Sequence, residues 1–314
     1  MDKRTGKIIF GPVPSRRLGR SLGVDILPLK SCNLNCIYCE LGPTSKYTLD
    51  RISPVAPSEI EAAFLEFLRE GPQPFDVVTI TASGEPTLHR DLGQIVEVIK
   101  RHSPRPVALL TNSTLLNNSE VRYAIKEIDI LLPSLDAGLE ATFKKINRPA
   151  KGVEFEEVLQ GLTTLRDSYR GRVLLEILFV KGVNDSKREI SRLKEIVEEI
   201  SPDEIQVGTI ARPPAEPWAH KVDRAVLERI ASIFGDGARI VTSFSGPSEG
   251  PGKIPSEEEI IELLKRRPLN RDDVHSLFHP FDLQVLVRLQ DLVRKGLIKK
   301  EVVETKEFFC ARDQ

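Results

Sequence analysis

The stretch SLGVDILPLKSCNLNCIYC, residues 21–39, joins a predicted strand to a group of cysteines. Its first part is a nearly continuous apolar run, which is typical of a strand buried on both faces of a parallel sheet. Its second part carries Cys32, Cys36 and Cys39 in the spacing C-x3-C-x2-C. Thiolates at this spacing can converge on one iron–sulfur cluster and leave one iron open. A zinc knuckle or three free thiols are the alternatives, although structural zinc prefers four ligands and no fourth Cys or His lies close by.

The chain around this stretch alternates between strand and helix patterns. Five more apolar runs predict buried strands, at residues 75–81, 106–112, 129–135, 173–180 and 204–210. Amphipathic segments between them predict helices, the first beginning at Ser58 with Glu61 completing a capping box. This alternation indicates parallel strands joined by right-handed crossovers. Six such units favour an α/β fold, either an open doubly wound sheet or an incomplete barrel, with a seventh short strand at residues 238–244.

A second domain follows a segment rich in Gly, Pro and Ser at residues 245–255. We place the first domain at residues 1–248 and the second at residues 253–314. The second domain shows three helix patterns, the first with Ser256 and Glu259 as a capping box, and then a hairpin. This order resembles a winged-helix module. Its basic and acidic residues are equal in number, which suits peptide recognition or packing on the first domain at least as well as phosphate-driven binding.

The composition excludes several classes of protein. The 314 residues are 40% hydrophobic and 29% charged, which argues against disorder. A formal net charge of -1 excludes a strongly basic nucleic-acid binder, and four cysteines do not make a disulfide scaffold. No run of about 18 apolar residues predicts a membrane span, and no apolar stretch of a signal peptide is present. We therefore predict a cytoplasmic protein with no membrane partner.

The cysteine loop, with Tyr38 directly before its last cysteine, resembles the radical S-adenosylmethionine (SAM) superfamily. The resemblance covers about residues 15–215 and implies an incomplete parallel (β/α)6 barrel. It implies that the three cysteines hold a 4Fe–4S cluster whose fourth iron binds SAM, with Tyr38 beside the cluster and the adenine. It also implies that an electron donor, such as a flavodoxin or ferredoxin, reduces the cluster. The reduced cluster would cleave SAM to methionine and a 5′-deoxyadenosyl radical.

A turn after the second predicted strand, Ser83-Gly84-Glu85-Pro86-Thr87, resembles the GGEP motif of the same superfamily. Serine replaces the first glycine of that motif. The resemblance implies that the turn backbone and Glu85 meet the ammonium group of the methionine moiety. The chemistry agrees, because a glycine lets the backbone approach a ligand closely and a carboxylate can pair with an ammonium group. On its own the segment would be only a turn.

Polar residues at the ends of later strands extend the predicted site. Asn112, Ser134 and Asp136 follow the third and fourth strands, where ligands of parallel sheets collect, and we expect them to contact the ribose and carboxylate of SAM. The alternative is that Ser134 and Asp136 cap the next helix. Glu176, inside an apolar run, would touch cofactor or substrate, or pair with a Lys or Arg. Val207, on the sixth strand, is expected to contact the adenine.

Basic residues before the first parallel strand leave three possibilities open. Arg16, Arg17 and Arg20 would form an anion site, a solvated basic surface, or pairs that hold the cluster loop. Residues 11–42 resemble a group of iron–sulfur oxidoreductases related to the wyosine-type tRNA imidazoguanosine synthetases. Those synthetases carry extra cysteines for a second cluster, whereas this chain has only Cys310, which we expect to be a buried, inert thiol. We therefore do not assign wyosine synthesis.

These patterns together predict a radical SAM enzyme that modifies a macromolecule, with RNA ahead of protein. In the protein alternative the C-terminal domain recognises a peptide. A third alternative is an iron–sulfur redox sensor or regulator, against which the predicted methionine-binding turn argues. No catalytic residue beyond the cofactor ligands can be assigned from the sequence.

Overall fold

The computed structural model describes residues 7–71, 74–241 and 254–312. Most of the predicted domain boundary at residues 245–255 lies outside the described residues. The strands of the first part of the chain are β1 (Ile9–Ser15), β2 (Gly19–Asp25), β3 (Ser31–Cys32), β4 (Lys46–Tyr47), β5 (Val77–Thr81), β6 (Val107–Thr111), β7 (Ile130–Pro133), β8 (Arg172–Phe179), β9 (Glu204–Thr209) and β10 (Ala238–Ile240). The helices between them are α1 (Pro57–Arg69), α2 (Leu92–His102), α3 (Ser119–Ile125), α4 (Glu140–Ile146), α5 (Phe155–Thr163), α6 (Lys187–Ile200) and α7 (Arg224–Phe234).

Eight of these strands form one sheet in the order β1-β2-β5-β6-β7-β8-β9-β10. The strands from β2 to β10 pair in parallel, and β1 adds an antiparallel edge. The six predicted strands are confirmed, and the seventh is the short β10. Because strand order follows chain order, right-handed crossovers keep the helices on one face of the sheet. A doubly wound sheet would reverse its order part-way, so this order fits the incomplete barrel.

The start of α1 differs from the prediction. The helix begins at Pro57, with Ala56 as its N-cap, and Glu59 accepts a hydrogen bond of 2.8 Å from the Ala56 backbone N–H. Ser58 and Glu61 therefore do not form the capping box. Proline suits the first helical position, because its fixed φ matches the helix and its missing N–H would have no intrahelical partner there.

The inner face of the sheet is filled at one end and open at the other. Leu18, in the turn between β1 and β2, packs on a small apolar cluster formed by Val77, Ala108, Leu132 and Leu174. These side chains close the base of the barrel. The cavity described below lies above them, at the carboxyl ends of the strands, where functional residues of such barrels gather.

The C-terminal module, residues 254–312, has a core of its own. Its elements are α8 (Glu257–Arg266), α9 (Arg271–Phe278), α10 (Asp282–Arg294), β11 (Ile298–Val303) and β12 (Lys306–Ala311). Ser256 and Glu259 form the expected capping box, with reciprocal hydrogen bonds of 2.9 and 3.2 Å. The order of three helices and an antiparallel hairpin agrees with the prediction. Its assignment as a winged helix stays a prediction.

Buried ion pairs join this module to the barrel. Arg266, at the end of α8, donates to Asp25 at the end of β2 over 3.0 Å, and their side chains are only 10% and 4% exposed. Arg212, which follows β9, reaches Asp273 of α9 over 3.1 Å. The module is therefore packed against the open side of the barrel. Across the described ranges, no helix is both long and apolar enough to cross a membrane.

We expect Arg266→Gln to lower the free energy of unfolding by about 3 kcal/mol, because it leaves the buried Asp25 carboxylate without this cation. Two hydrogen bonds from Ser83 to Asp25 persist and keep the loss near the lower end of the usual range. Urea unfolding followed by circular dichroism measures the change. Arg229→Gln, at an exposed position on α7, is the matched control and should change stability by less than about 0.5 kcal/mol. Equal losses in the two variants would contradict the prediction.

Candidate active site

One cavity of about 430 Å³ lies on the inner face of the barrel. The predicted site residues that line it are Cys32, Cys36, Tyr38, Cys39, Ser83, Gly84, Glu85, Pro86, Asn112, Ser134, Asp136 and Glu176. Val207 is the predicted site residue that does not line it. The structure therefore brings residues from five regions of the sequence into a single space.

The cysteine loop is held in place by its backbone. Its first residues form β3, which pairs with β4, and further along the N–H of Ile37 donates to the carbonyl of Ile146 over 2.9 Å. Asn35 donates in the same way to the carbonyl of Asn147 over 2.9 Å. The loop is thus fixed against the end of α4, and its three partly buried thiols line the cavity.

Two asparagine side chains donate to cysteine sulfurs. The Asn112 amide lies 3.6 Å from Cys32 Sγ, and the Asn147 amide lies 3.4 Å from Cys36 Sγ. Such donors stabilise negative charge on sulfur and tune a cluster's potential. Asn112 was predicted to contact the ribose or carboxylate of SAM, whereas Asn147 was not predicted, because an asparagine that ends a short helix carries no signal of its own.

The burial of the thiols affects how they would bind metal. Burial raises the pKa of Cys32 to about 12 and that of Cys39 to about 11, so without metal both are neutral at pH 7. Metal binding must therefore release their protons and replace them with a stronger positive charge.

The Ser83–Thr87 turn is held against the start of the cysteine loop by backbone hydrogen bonds. Glu85 N–H donates to the Ser31 carbonyl over 3.0 Å, and Lys30 N–H donates to the Ser83 carbonyl. A Cβ added at Gly84 would lie 1.8 Å from the Ser31 carbonyl oxygen. Only glycine permits this close approach, so the turn and the loop form one continuous backbone surface at the cavity.

Glu85 is buried and bonded at both carboxylate oxygens. One oxygen accepts from the Thr87 N–H over 3.0 Å, the Thr87 hydroxyl over 2.6 Å and the Thr111 hydroxyl over 2.7 Å. The other accepts from the Asn112 N–H over 2.6 Å. Burial raises the pKa of Glu85, and these donors oppose the rise. The carboxylate therefore ties the ends of β5 and β6 together at the cavity, and its predicted contact with the methionine ammonium stays a prediction.

Asp136 braces the cysteine loop and does not cap a helix. It accepts hydrogen bonds from the Tyr38 hydroxyl, from the Asn147 amide over 2.8 Å and from the Leu178 N–H over 3.0 Å. The next helix, α4, instead begins after Leu139 with no side-chain cap. The capping alternative is therefore wrong for Asp136. Ser134 lines the cavity, and its hydroxyl has no hydrogen-bond partner among the described residues.

Two predictions on the last strands have different outcomes. Glu176 lines the cavity and forms an ion pair with Arg17, so the arginine-pairing alternative holds. The prediction for Val207 is wrong for its side chain, which is fully buried in the core. Val207 does not line the cavity, whereas Thr209, two residues further along β9, does.

A family model described as the radical SAM superfamily matches residues 26–193, which include the cysteine loop and the turn. The chain belongs to the radical SAM superfamily. The resemblance of the cysteine loop is confirmed, and the protein is an enzyme of this superfamily. Membership implies a 4Fe–4S cluster and SAM, which the three partly buried thiols and the adjoining cavity fit.

Curated relatives match nearly all of this radical SAM chain. A GTPase Obg of Brachyspira hyodysenteriae is 36% identical over 96% of the chain, which spans only 45% of that relative's length. A UPF0026 protein of Methanocaldococcus jannaschii is 30% identical over 96% of the chain and 95% of its own length. The solved structure of TYW1 with a lysine–pyruvate adduct bound is 18% identical, with a TM-score of 0.52, and covers 70% of this chain and 75% of that chain. That likeness bears on the fold alone, an α/β radical SAM fold with a parallel sheet.

A buried histidine next to the turn of the radical SAM site contacts the segment that precedes α1. His89 follows the turn and is inaccessible to solvent. Its Nδ1 accepts from the Asp91 N–H over 3.1 Å, so the proton of the neutral ring lies on Nε2, which donates to the Val55 carbonyl over 3.2 Å. Burial lowers the pKa of His89 to about 4. A second proton on the ring would lie on Nδ1 and face the Asp91 N–H. Two donors cannot hydrogen-bond to each other, so this contact also opposes protonation.

We expect this histidine to make the fold sensitive to acid. The unfolded chain takes up a proton near pH 6.5 and the folded chain only near pH 4, so folding stability falls as the pH drops between these values, by about 3 kcal/mol in all. The His89→Gln variant should be less stable than the wild type at pH 7. Its free energy of unfolding should not show this additional fall between pH 6.5 and pH 4. Urea unfolding at a series of pH values measures the slope. The exposed His220→Gln is the control, and equal slopes for His89→Gln and the wild type would refute the assignment.

Proposed function

We propose that Cys32, Cys36 and Cys39 hold a 4Fe–4S cluster and that SAM binds in the adjoining cavity for radical modification of a substrate. One observation carries the proposal: the three thiols, the Ser83–Thr87 turn and the polar residues at the ends of β6 and β7 line the same cavity. When bound and reduced, the cluster supplies the electron that cleaves SAM to methionine and a 5′-deoxyadenosyl radical.

The chain's own residues would hold and orient the cofactor. The turn offers backbone groups beside the cysteine loop, and the free hydroxyl of Ser134 is available to a ligand. The Tyr38–Asp136 hydrogen bond fixes an aromatic ring against the cavity, where it would keep water from the reacting groups. The proposed electron donor is a flavodoxin or ferredoxin.

RNA is the first substrate class to test. It is favoured by the five arginines that line the cavity, since guanidinium groups suit phosphate oxygens. The C-terminal module contributes two of these arginines and is packed on the barrel through ion pairs. A peptide recognised by the module is the second class. The sensor alternative is set aside, because the chain belongs to an enzyme superfamily.

The decisive experiment is anaerobic reconstitution of the cluster, followed by dithionite, SAM and quantification of 5′-deoxyadenosine by mass spectrometry. We expect product above the enzyme-free background, and more of it when total RNA is added than when a peptide digest is added. A protein with a full cluster that neither binds SAM nor forms product would overturn the proposal. Stimulation by the peptide digest alone would move the substrate assignment to protein.

A further inference from the structure

We propose that the cavity contains an anion subsite, centred on Arg16, that binds a phosphate or carboxylate group of the substrate. The inference deepens the proposed function, because it assigns a chemical class to the molecule on which the radical acts. It rests on three observations: an arginine without a partner, buried guanidinium donors without acceptors, and neighbouring carboxylates that are already engaged.

Among the described residues, Arg16 is the cavity-lining arginine that forms no salt bridge, and the nearby Glu40 and Asp273 act on it only at longer range. The other four are paired: Arg17 with Glu176, Arg212 with Glu40 and Asp273, Arg266 with Asp25, and Arg267 with Asp273. Within the described parts of the chain, the Arg16 side chain has no hydrogen bond and no ion pair. Burial, together with the nearby positive charge of Arg212, lowers the pKa of Arg16. A partly buried cation that lies beside another cation and has no salt bridge of its own favours the binding of an anionic ligand.

The neighbouring arginines also have unused donors. The Nε groups of Arg17 and Arg267 are buried and have no acceptor among the residues that the structure describes. Buried polar groups are nearly always hydrogen-bonded, so unpaired donors in a cavity wall indicate a missing acceptor. A phosphate or carboxylate carries several acceptor oxygens and matches the fork geometry of guanidinium groups.

The carboxylates of this wall cannot neutralise Arg16 further. Glu40 already pairs with Arg212 over 3.3 Å. Asp273 already pairs with Arg212 over 3.1 Å and with Arg267 over 2.7 Å. Both carboxylates are therefore shared among the paired arginines.

The arginines of this wall belong to other segments of the chain than the proposed cluster and SAM ligands. They come from the turn between β1 and β2, from the segment after β9 and from the end of α8. None belongs to the cysteine loop or to the Ser83–Thr87 turn. An anion bound there would be anchored beside the cofactor, which leaves the rest of the substrate to reach the radical.

The subsite is tested by titrating inorganic phosphate and, separately, acetate into the cluster-loaded protein with SAM at saturation, using calorimetry at low salt. We expect one of the two anions to bind, and Arg16→Gln to weaken that binding by about tenfold or more. Arg16→Lys should bind the anion with intermediate affinity, because lysine keeps the positive charge but lacks the forked donor geometry of the guanidinium group. The exposed Arg229→Gln is the matched control and should bind like the wild type.

Other outcomes overturn the subsite. Equal anion affinity in Arg16→Gln and the wild type, or no binding of either anion, would show that the wall is structural. Displacement of the anion by SAM would assign the arginine to the cofactor's carboxylate. The titration does not depend on SAM cleavage, so a failure of the proposed function is seen separately, as absent 5′-deoxyadenosine. The stronger of the two anions identifies the substrate group as phosphate or carboxylate.

Discussion

Cys36→Ala should lower the formation of 5′-deoxyadenosine by well over 100-fold. Loss of an outer partner of a metal site costs about 10- to 100-fold, and loss of one of only three ligands should cost more. Cys36 is also the sulfur to which Asn147 donates, so its removal leaves that amide without its acceptor. The measurements are iron and sulfide content after reconstitution and the yield of 5′-deoxyadenosine.

The fourth cysteine supplies the matched control for this prediction. Cys310 lies in β12 of the C-terminal module, is 1% exposed and does not line the cavity. Burial raises its pKa to about 12, as expected for an unreactive thiol. The Cys310→Ala variant should therefore have the iron and sulfide content of the wild type and the same yield of 5′-deoxyadenosine. Full iron content and activity in Cys36→Ala would contradict the assignment of the ligands.

Gly84→Ala is the second variant with a large expected effect. Its new Cβ would lie 1.8 Å from the Ser31 carbonyl oxygen and 2.6 Å from the Ser31 carbonyl carbon, and both are backbone atoms that cannot rotate away. The turn must move off the cysteine loop, at a cost of about 3 kcal/mol, the upper end of typical overpacking. We expect reduced thermal stability and a loss of bound iron, because the displaced loop includes Cys32.

Gly237→Ala is the control for the backbone effect. An added Cβ at Gly237 meets no atom within 4 Å, and the glycine lies in the loop before β10, far along the chain from the cysteines. This variant should keep wild-type stability and iron content. If Gly84→Ala also behaves like the wild type, the contact between the turn and the cysteine loop is not needed for the site.

The strands and the cysteine site could be predicted because their signals are local. An apolar run marks each buried strand, and the three cysteines lie within eight residues of chain. The start of α1 was predicted one residue late, at Ser58, although Pro57 is a recognised signal of the first helical position. The prediction for Val207 failed for a physical reason. Both faces of a strand in a parallel sheet are apolar, so periodicity does not show which face meets the cavity.

The charged wall depends on contacts between distant parts of the chain. Three arginines near the N-terminus suggested an anion site, a solvated surface or pairs for the cluster loop, and the sequence could not distinguish these. In the structure Arg17 pairs with Glu176 and Arg20 pairs with Asp76, whereas Arg16 forms no ion pair with any described residue. The Asn147 contact with Cys36 joins residues 111 positions apart. Such pairings follow from tertiary packing and have no pattern in the sequence.

The strand order determines which parts of the fold can form first while the chain is being synthesised. Each strand of the eight-stranded sheet from β2 to β9 pairs with the next strand of that sheet along the chain, so the sheet can grow by local additions while the polypeptide is still being made. The contact between Asp25 and Arg266 spans 241 residues and must wait for the C-terminal module. The cysteine loop is therefore finished long before the wall beside it. Until the C-terminal module is synthesised, the thiols of the nascent chain face a side of the barrel that the module later covers in part.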